Sequence, residues 1–164
     1  MVPPDDLAAV EEAIYDQSFR TLDEQARILE GLRSRAGTLA SVATLTTGFV
    51  GGLASMLRGT QHSSHGTLRW IAVALYLLVI VLSLLIASPS HRWAFGHHPE
   101  RLLAVYTDPR HSRTLAEFRC TIASYNGRNC ERNGRQLARL SASFAVASVV
   151  FVVELILWLW ELAK

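Results

Sequence analysis

Glu154 asks more of its surroundings than any other residue. It interrupts "LSASFAVASVVFVVELILWLW", a stretch otherwise uncharged from Leu140 to Trp160. A carboxylate at the middle of a bilayer costs roughly 2.5 to 3.5 kcal/mol on insertion scales, and less near an edge. Two placements follow. Glu154 faces a bundle interior or pore, where it binds a cation or a partner helix, or it reaches the outer headgroups. A second set of residues offers anion chemistry. Arg128, Arg132, Arg135 and Arg139 recur at four- and three-residue spacing on one helical face, with Asn126, Asn129 and Asn133 interleaved. Such a face suits anionic lipid or a phosphate-bearing ligand, to which Asn129 adds hydrogen bonds. A third set is small. Gly37, Ser41, Thr44, Gly48, Gly51, Gly52 and Ser55 run along the first apolar segment, and Gly48 and Gly52 form a Gly-x-x-x-Gly pair. Faces of this kind let helix backbones approach closely. The hydroxyls of Thr44, Thr46 and Thr47 also suit a water path.

Other chemistry is missing. The chain has no Gly-x-Ser-x-Gly, no His-Glu-x-x-His, no phosphate loop and no dinucleotide fingerprint. No enzyme activity and no cofactor are expected. His91, His97 and His98 cluster without further ligands at metal-site spacing and read as an interfacial loop, so no metal is expected. Cys120 and Cys130 lie ten residues apart in a helical pattern. That separation is roughly 15 Å along a helix, too far for a disulfide. Arginines on a single helix do not make a nucleic-acid fold, and no nucleic-acid partner is expected.

The elements that hold these residues are set by three uncharged runs. Half of the 164 residues are hydrophobic and 18% are charged, against about a quarter charged in soluble domains. Ala36 to Leu57, Trp70 to Ser88 and Leu140 to Trp160 contain 22, 19 and 21 residues, with only Glu154 charged. A helix needs roughly 20 apolar residues to cross a bilayer, so all three fit. The fold expected is all-α, an integral membrane protein with three transmembrane helices, two of them continuous with long cytoplasmic helices. The divisions are 1–35 as a cytoplasmic stalk helix, 36–88 as a transmembrane hairpin, 89–139 as a cytoplasmic helical segment, and 140–164 as the third transmembrane helix. The acidic start "MVPPDDLAAVEEA" lacks the basic region of a cleavable signal, so the first apolar segment is expected to stay in the membrane.

Basic residues fix the orientation. Four arginines precede the first span and nine lie between the second and third. Arg58 and Arg69 flank the short loop, and Lys164 ends the chain. Three spans thus put 13 basic residues on one side and three on the other. The positive-inside rule places the N-terminus in the cytoplasm and the C-terminus outside an inner (plasma) membrane. Trp70 and Trp93 fall where interface anchors belong.

The stalk begins near Leu7, with Asp5 or Asp6 as cap, and no proline follows before Leu57. Tyr15, Phe19, Leu22, Ala26 and Leu29 form a seam of about two heptads. It serves either a coiled coil between chains or packing on the chain's own second cytoplasmic helix, the latter slightly favoured. A short helix over "ERLLAVYTDPR" and a long one from near His111 follow. The long one carries an apolar stripe of Leu115, Phe118, Ile122 and Tyr125. Gly127 and Gly134 within it imply a bend or a close approach.

The stretches "LDEQARILEGLRSRAGTLASVATLTTGFVGGL" and "LAEFRCTIASYNGRNCERNGRQLARLSASFAVASVVFVVELILWLW" together resemble a group of small bacterial membrane proteins. In these a stalk helix enters a two-span hairpin, and a helix with an Asn-rich "Y-N-x-x-N" stretch returns to the membrane. The arrangement looks like the transmembrane effectors of the Pycsar anti-phage systems and, more loosely, the SLATT membrane domains of bacterial conflict systems. The resemblance covers Leu22 to Trp160 and implies a cytoplasmic trigger, oligomerisation and membrane permeabilisation. It departs in two ways: no cyclic-nucleotide-binding domain is present, and the SLATT plan has two spans and a soluble tail. The expected function is a pore-forming or membrane-perturbing effector. Its expected partners are the lipid bilayer, further copies of itself, and a nucleotide second messenger or a cytoplasmic protein. The alternatives are a membrane scaffold docking a cytoplasmic partner and, third, a holin-like protein.

Overall fold

A computed structural model describes residues 4–58, 66–88, 93 and 114–163. The described residues are almost entirely helical. α1 is Pro4–Arg58, α2 is Gly66–Ala87 and α3 is Leu115–Leu162. All three are long and apolar enough to cross a membrane. At 55 and 48 residues, α1 and α3 are each more than twice the length that the hydrocarbon core requires. The turn between the first two spans, the His91, His97 and His98 cluster and the short helix at "ERLLAVYTDPR" lie outside the described residues.

The helix ends follow from local chemistry. α1 starts at Pro4, three residues before the expected start; proline suits a first turn, whose N–H groups have no helical acceptor. α3 starts at Leu115 rather than near His111, and a capping box explains the position. The Glu117 amide donates to Thr114 Oγ1 (3.3 Å), and the Thr114 amide donates to Glu117 Oε2 (3.1 Å). This Thr-x-x-Glu pairing satisfies donors that the first turn leaves open.

The chain forms two compact units. In the first, α1 up to Leu29 packs on α3 up to Leu137. The two helices run parallel. Glu12 meets Arg119 at 3.3 Å, Asn126 Nδ2 donates to Ser18 Oγ at 3.0 Å, and Gln25 Nε2 donates to the Cys130 carbonyl at 2.9 Å. Leu22, Leu29, Ile122 and Ala123 are buried there. Tyr15 and Phe19 meet edge to face with centroids 5.0 Å apart. α1 thus packs on the chain's own α3 through Glu12, Ser18 and Gln25, which flank the Tyr15 to Leu29 seam, and of that seam Leu22 and Leu29 are buried. α3 stays helical through Gly127 and Gly134. A Cβ on Gly134 would touch Gln25 Nε2 at 3.7 Å, an ordinary contact.

In the second unit α1 and α3 are again parallel, and α2 runs antiparallel to α1. Arg33 donates to the Ser88 carbonyl at 3.3 Å near one end of α2, and Thr44 Oγ1 lies 3.2 Å from Tyr76 Oη further along. Buried positions recur every seven residues on each helix of this unit: Ala36 and Ala43 on α1, Ala72, Val79 and Ile86 on α2, and Ala147, Glu154 and Glu161 on α3. A strict seven-residue repeat is the mark of left-handed, knobs-into-holes packing. Leu45, Phe49, Leu77, Leu84, Leu85, Val149 and Ile156 point outward. Trp70 is 75% exposed, as an interface anchor requires.

Candidate functional site

Glu154 lies inside the second unit, with no accessible surface. Its carboxyl group is enclosed between α1 and α3. Thr47, one face of α1 away, donates its hydroxyl to Glu154 Oε1. Trp158, one turn further along α3 and itself buried, brings its indole close to the same carboxyl group, short of hydrogen-bond geometry. Glu154 Oε2 has no hydrogen-bond partner. The close approach that admits this group comes from Gly51. A Cβ there would stand 3.3 Å from Trp158 Cη2, tighter than side chains normally accept. The Thr47–Glu154 hydrogen bond ties α1 to α3 at a fixed register. Ser83 on α2 is a second buried polar residue in this unit, and its hydroxyl has no partner.

The small residues of α1 are placed otherwise. Gly37, Ser41, Thr44, Gly48 and Gly52 are all exposed. Among the described residues, nothing beyond the helix's own backbone lies within 4 Å of a Cβ built on Gly37, Gly48 or Gly52. The hydroxyls of Ser41, Thr44 and Thr46 turn back on the carbonyls of Gly37, Ala40 and Val42, a common way for a helix to satisfy them without water. Among the described residues, the glycine in tight contact is Gly51, one residue from the Gly-x-x-x-Gly pair.

The arginine face divides. Arg128, Arg132 and Arg135 in the first unit and Arg139 in the second are exposed. Arg135 pairs with Glu131 at 2.7 Å on the surface, an i,i+4 pair of small energetic weight. Asn129 parts company with them: it is 9% exposed, and Asn126 and Asn133 are fully buried. All three are buried away from the cationic surface, and Asn126 meets Ser18 of α1. The reason is phase. Asn126, Asn129 and Asn133 continue the series begun by Ile122 at steps of four, three and four, the spacing of a packed helical stripe. Among the described residues no group of three or more potential metal ligands comes together.

Comparison with protein-family models, with curated proteins and with solved structures finds no match.

Proposed function

We propose that this chain is a non-enzymatic membrane protein that assembles into an oligomer and perturbs the bilayer, under control of its α1–α3 stalk unit. The observation that carries the reading is the exposed small-residue face of α1. Among the described residues, Gly37, Gly48 and Gly52 have no neighbour within 4 Å where a side chain would stand. Lipid gains nothing from a glycine stripe, whereas a second helix does, because small residues admit close backbone contact. In this reading Gly37, Ser41, Thr44, Gly48 and Gly52 face another copy, and Glu154 holds the chain's own helices together. Arg128, Arg132, Arg135 and Arg139 meet anionic lipid or a phosphate-bearing signal. The N-terminus is cytoplasmic and the C-terminus outside. The resemblance to Pycsar effectors and SLATT domains supports the same role in bacterial conflict.

Purified protein in liposomes tests it. Dye and ion release is measured with and without cyclic nucleotides, and copies are counted by cross-linking. Release that Gly48→Leu combined with Gly52→Leu abolishes, together with the cross-linked species, is the expected result. A folded, inserted protein that never leaks moves the assignment to a membrane scaffold. One observation favours that second reading: an open groove in the first unit, lined by Val10, Ala13, Ile14, Ala123 and Gly127, in which Val10 and Ile14 are about half exposed.

A further inference from the structure

The second unit carries another open groove, of about 330 Å³, on its outer surface between α1 and α3. Its lining is graded. Ser34, Arg35 and Thr38 form one end, and Leu39, Val42 and Phe144 the other. Arg35 is the last charge on α1 before the uncharged run to Leu57. It is exposed and makes no ion pair or hydrogen bond among the described residues. Neighbouring Arg33, by contrast, is tied to the Ser88 carbonyl. From Arg35 to Val42 the groove follows about 10 Å of helix, leading from a free guanidinium to an aromatic ring.

We propose that this groove holds an anionic phospholipid, with its phosphate on Arg35 and an acyl chain along Leu39, Val42 and Phe144. The inference rests on the chain's insertion in a membrane and is independent of whether it forms a pore. Charge complementarity selects the occupant. A guanidinium at the polar edge of a bilayer binds phosphate through paired N–H groups. The hydroxyls of Ser34 and Thr38 stand beside it, and nothing at the other end of the groove is polar. A zwitterionic lipid would set its own cationic group against Arg35, so anionic headgroups are preferred. A second protein chain would meet an uncompensated arginine at the rim of the contact.

The test is native mass spectrometry of the full chain released from membranes, with phosphatidylglycerol and phosphatidylcholine of matched acyl chains added. Preferential retention of phosphatidylglycerol by about fivefold is expected, the scale of one arginine–lipid contact. Arg35→Gln should bring retention to the phosphatidylcholine level, and Phe144→Ala should weaken both lipids. Arg20→Gln removes an exposed charge from the first unit and should leave the preference intact. Soluble glycerol phosphate should not displace the lipid, since it lacks the acyl chain. Equal retention of the two lipids, a preference that survives Arg35→Gln, or displacement by glycerol phosphate would overturn the proposal. A wild-type chain absent from the membrane fraction would overturn the membrane reading, and this assignment with it.

Discussion

The two units build the α1–α3 contact at the same seven-residue spacing from different materials. On α1 the buried positions include Leu22 and Leu29 in the first unit, and at the same spacing Ala36 and Ala43 in the second, where Leu32 is also buried at the boundary. On α3 the seven-residue spacing takes in Asn126 and Asn133 in the first, beside the buried Ile122, Ala123 and Leu137, then Ala147, Glu154 and Glu161, beside the buried Trp158. The difference is what two solvents would dictate. In water, burying a leucine returns about 25 cal/mol for each Å² of apolar surface, so large side chains drive the contact. Buried amides cost some of that stability but fix register, as a single asparagine does in a coiled coil. In hydrocarbon a leucine is solvated as well by lipid as by protein. Association then depends on close approach, which favours alanine and glycine, and on the few polar groups that have no other partner.

The largest break in this comparison comes from Leu22, 1% exposed. Leu22→Ala should cost about 2 to 5 kcal/mol in the first unit, from lost burial and the cavity left behind. Hydrogen exchange should show it as weakened protection in both α1 and α3 of that unit. Leu84→Ala on α2, where leucine is 62% exposed, should change stability by much less. Equal effects would mean that burial in the first unit does not set the cost of losing a leucine, and the contrast would fail.

The reverse substitution acts on the second unit. Ala147 is fully buried, and Ala147→Leu should cost about 1 to 3 kcal/mol by overpacking, read from thermal unfolding in detergent or bicelles. A neutral result would show that the alanines are not there for closeness.

Smaller effects are expected from the polar pairs, and they sharpen the same contrast. Thr47→Val removes the donor to Glu154 Oε1 and should cost about 0.6 kcal/mol, with an upper range near 1.7, the span measured for interhelical bonds in membranes. Ser18→Ala removes the Asn126 partner and should cost about 1 kcal/mol. Glu154→Gln keeps an acceptor for Thr47 and should preserve helix packing, measured by the same melts. A loss as large as that of Leu22→Ala would assign the carboxylate a role that an amide cannot fill.

Much of this architecture was legible in the sequence, because hydropathy and periodicity are local signals. Three uncharged runs mark the three long apolar helices, and the Tyr15 to Leu29 spacing marks the stalk seam. What was not legible concerns polar residues at seam positions. Asn126, Asn129 and Asn133 invite grouping with the arginines beside them, because an asparagine in a basic segment reads as solvent-facing. Only the phase carried from Ile122 separates the two faces. Glu154 left two placements open because its depth in the span and its helical phase point to different environments, and the enclosing Thr47 stands on another helix. Gly51 stood in the sequence as one of several small residues of the first apolar segment, with nothing to mark it as the one that meets another helix. A glycine pair four residues apart is visible in one helix, whereas a glycine that admits Trp158 from another helix is a property of two.

The smallest expected effect concerns Cys130, which lines the α1–α3 groove of the first unit. Burial pushes its thiol pKa up, because the thiolate loses hydration there. The thiolate is the reactive form, so alkylation by iodoacetamide should rise with pH and level off above the usual thiol range. The linkage has a definite sign. As pH rises past the ordinary thiol value the unfolded chain ionises first, so the first unit loses a little stability toward alkaline pH. Ala123→Ser, which puts a hydroxyl on a buried neighbour in the same groove lining, should loosen the contact and bring the alkylation midpoint down toward the ordinary value. A midpoint at the ordinary value in the unaltered chain would mean that the α1–α3 contact opens to water faster than the reagent reacts. The first unit would then be the more dynamic of the two, despite its leucines.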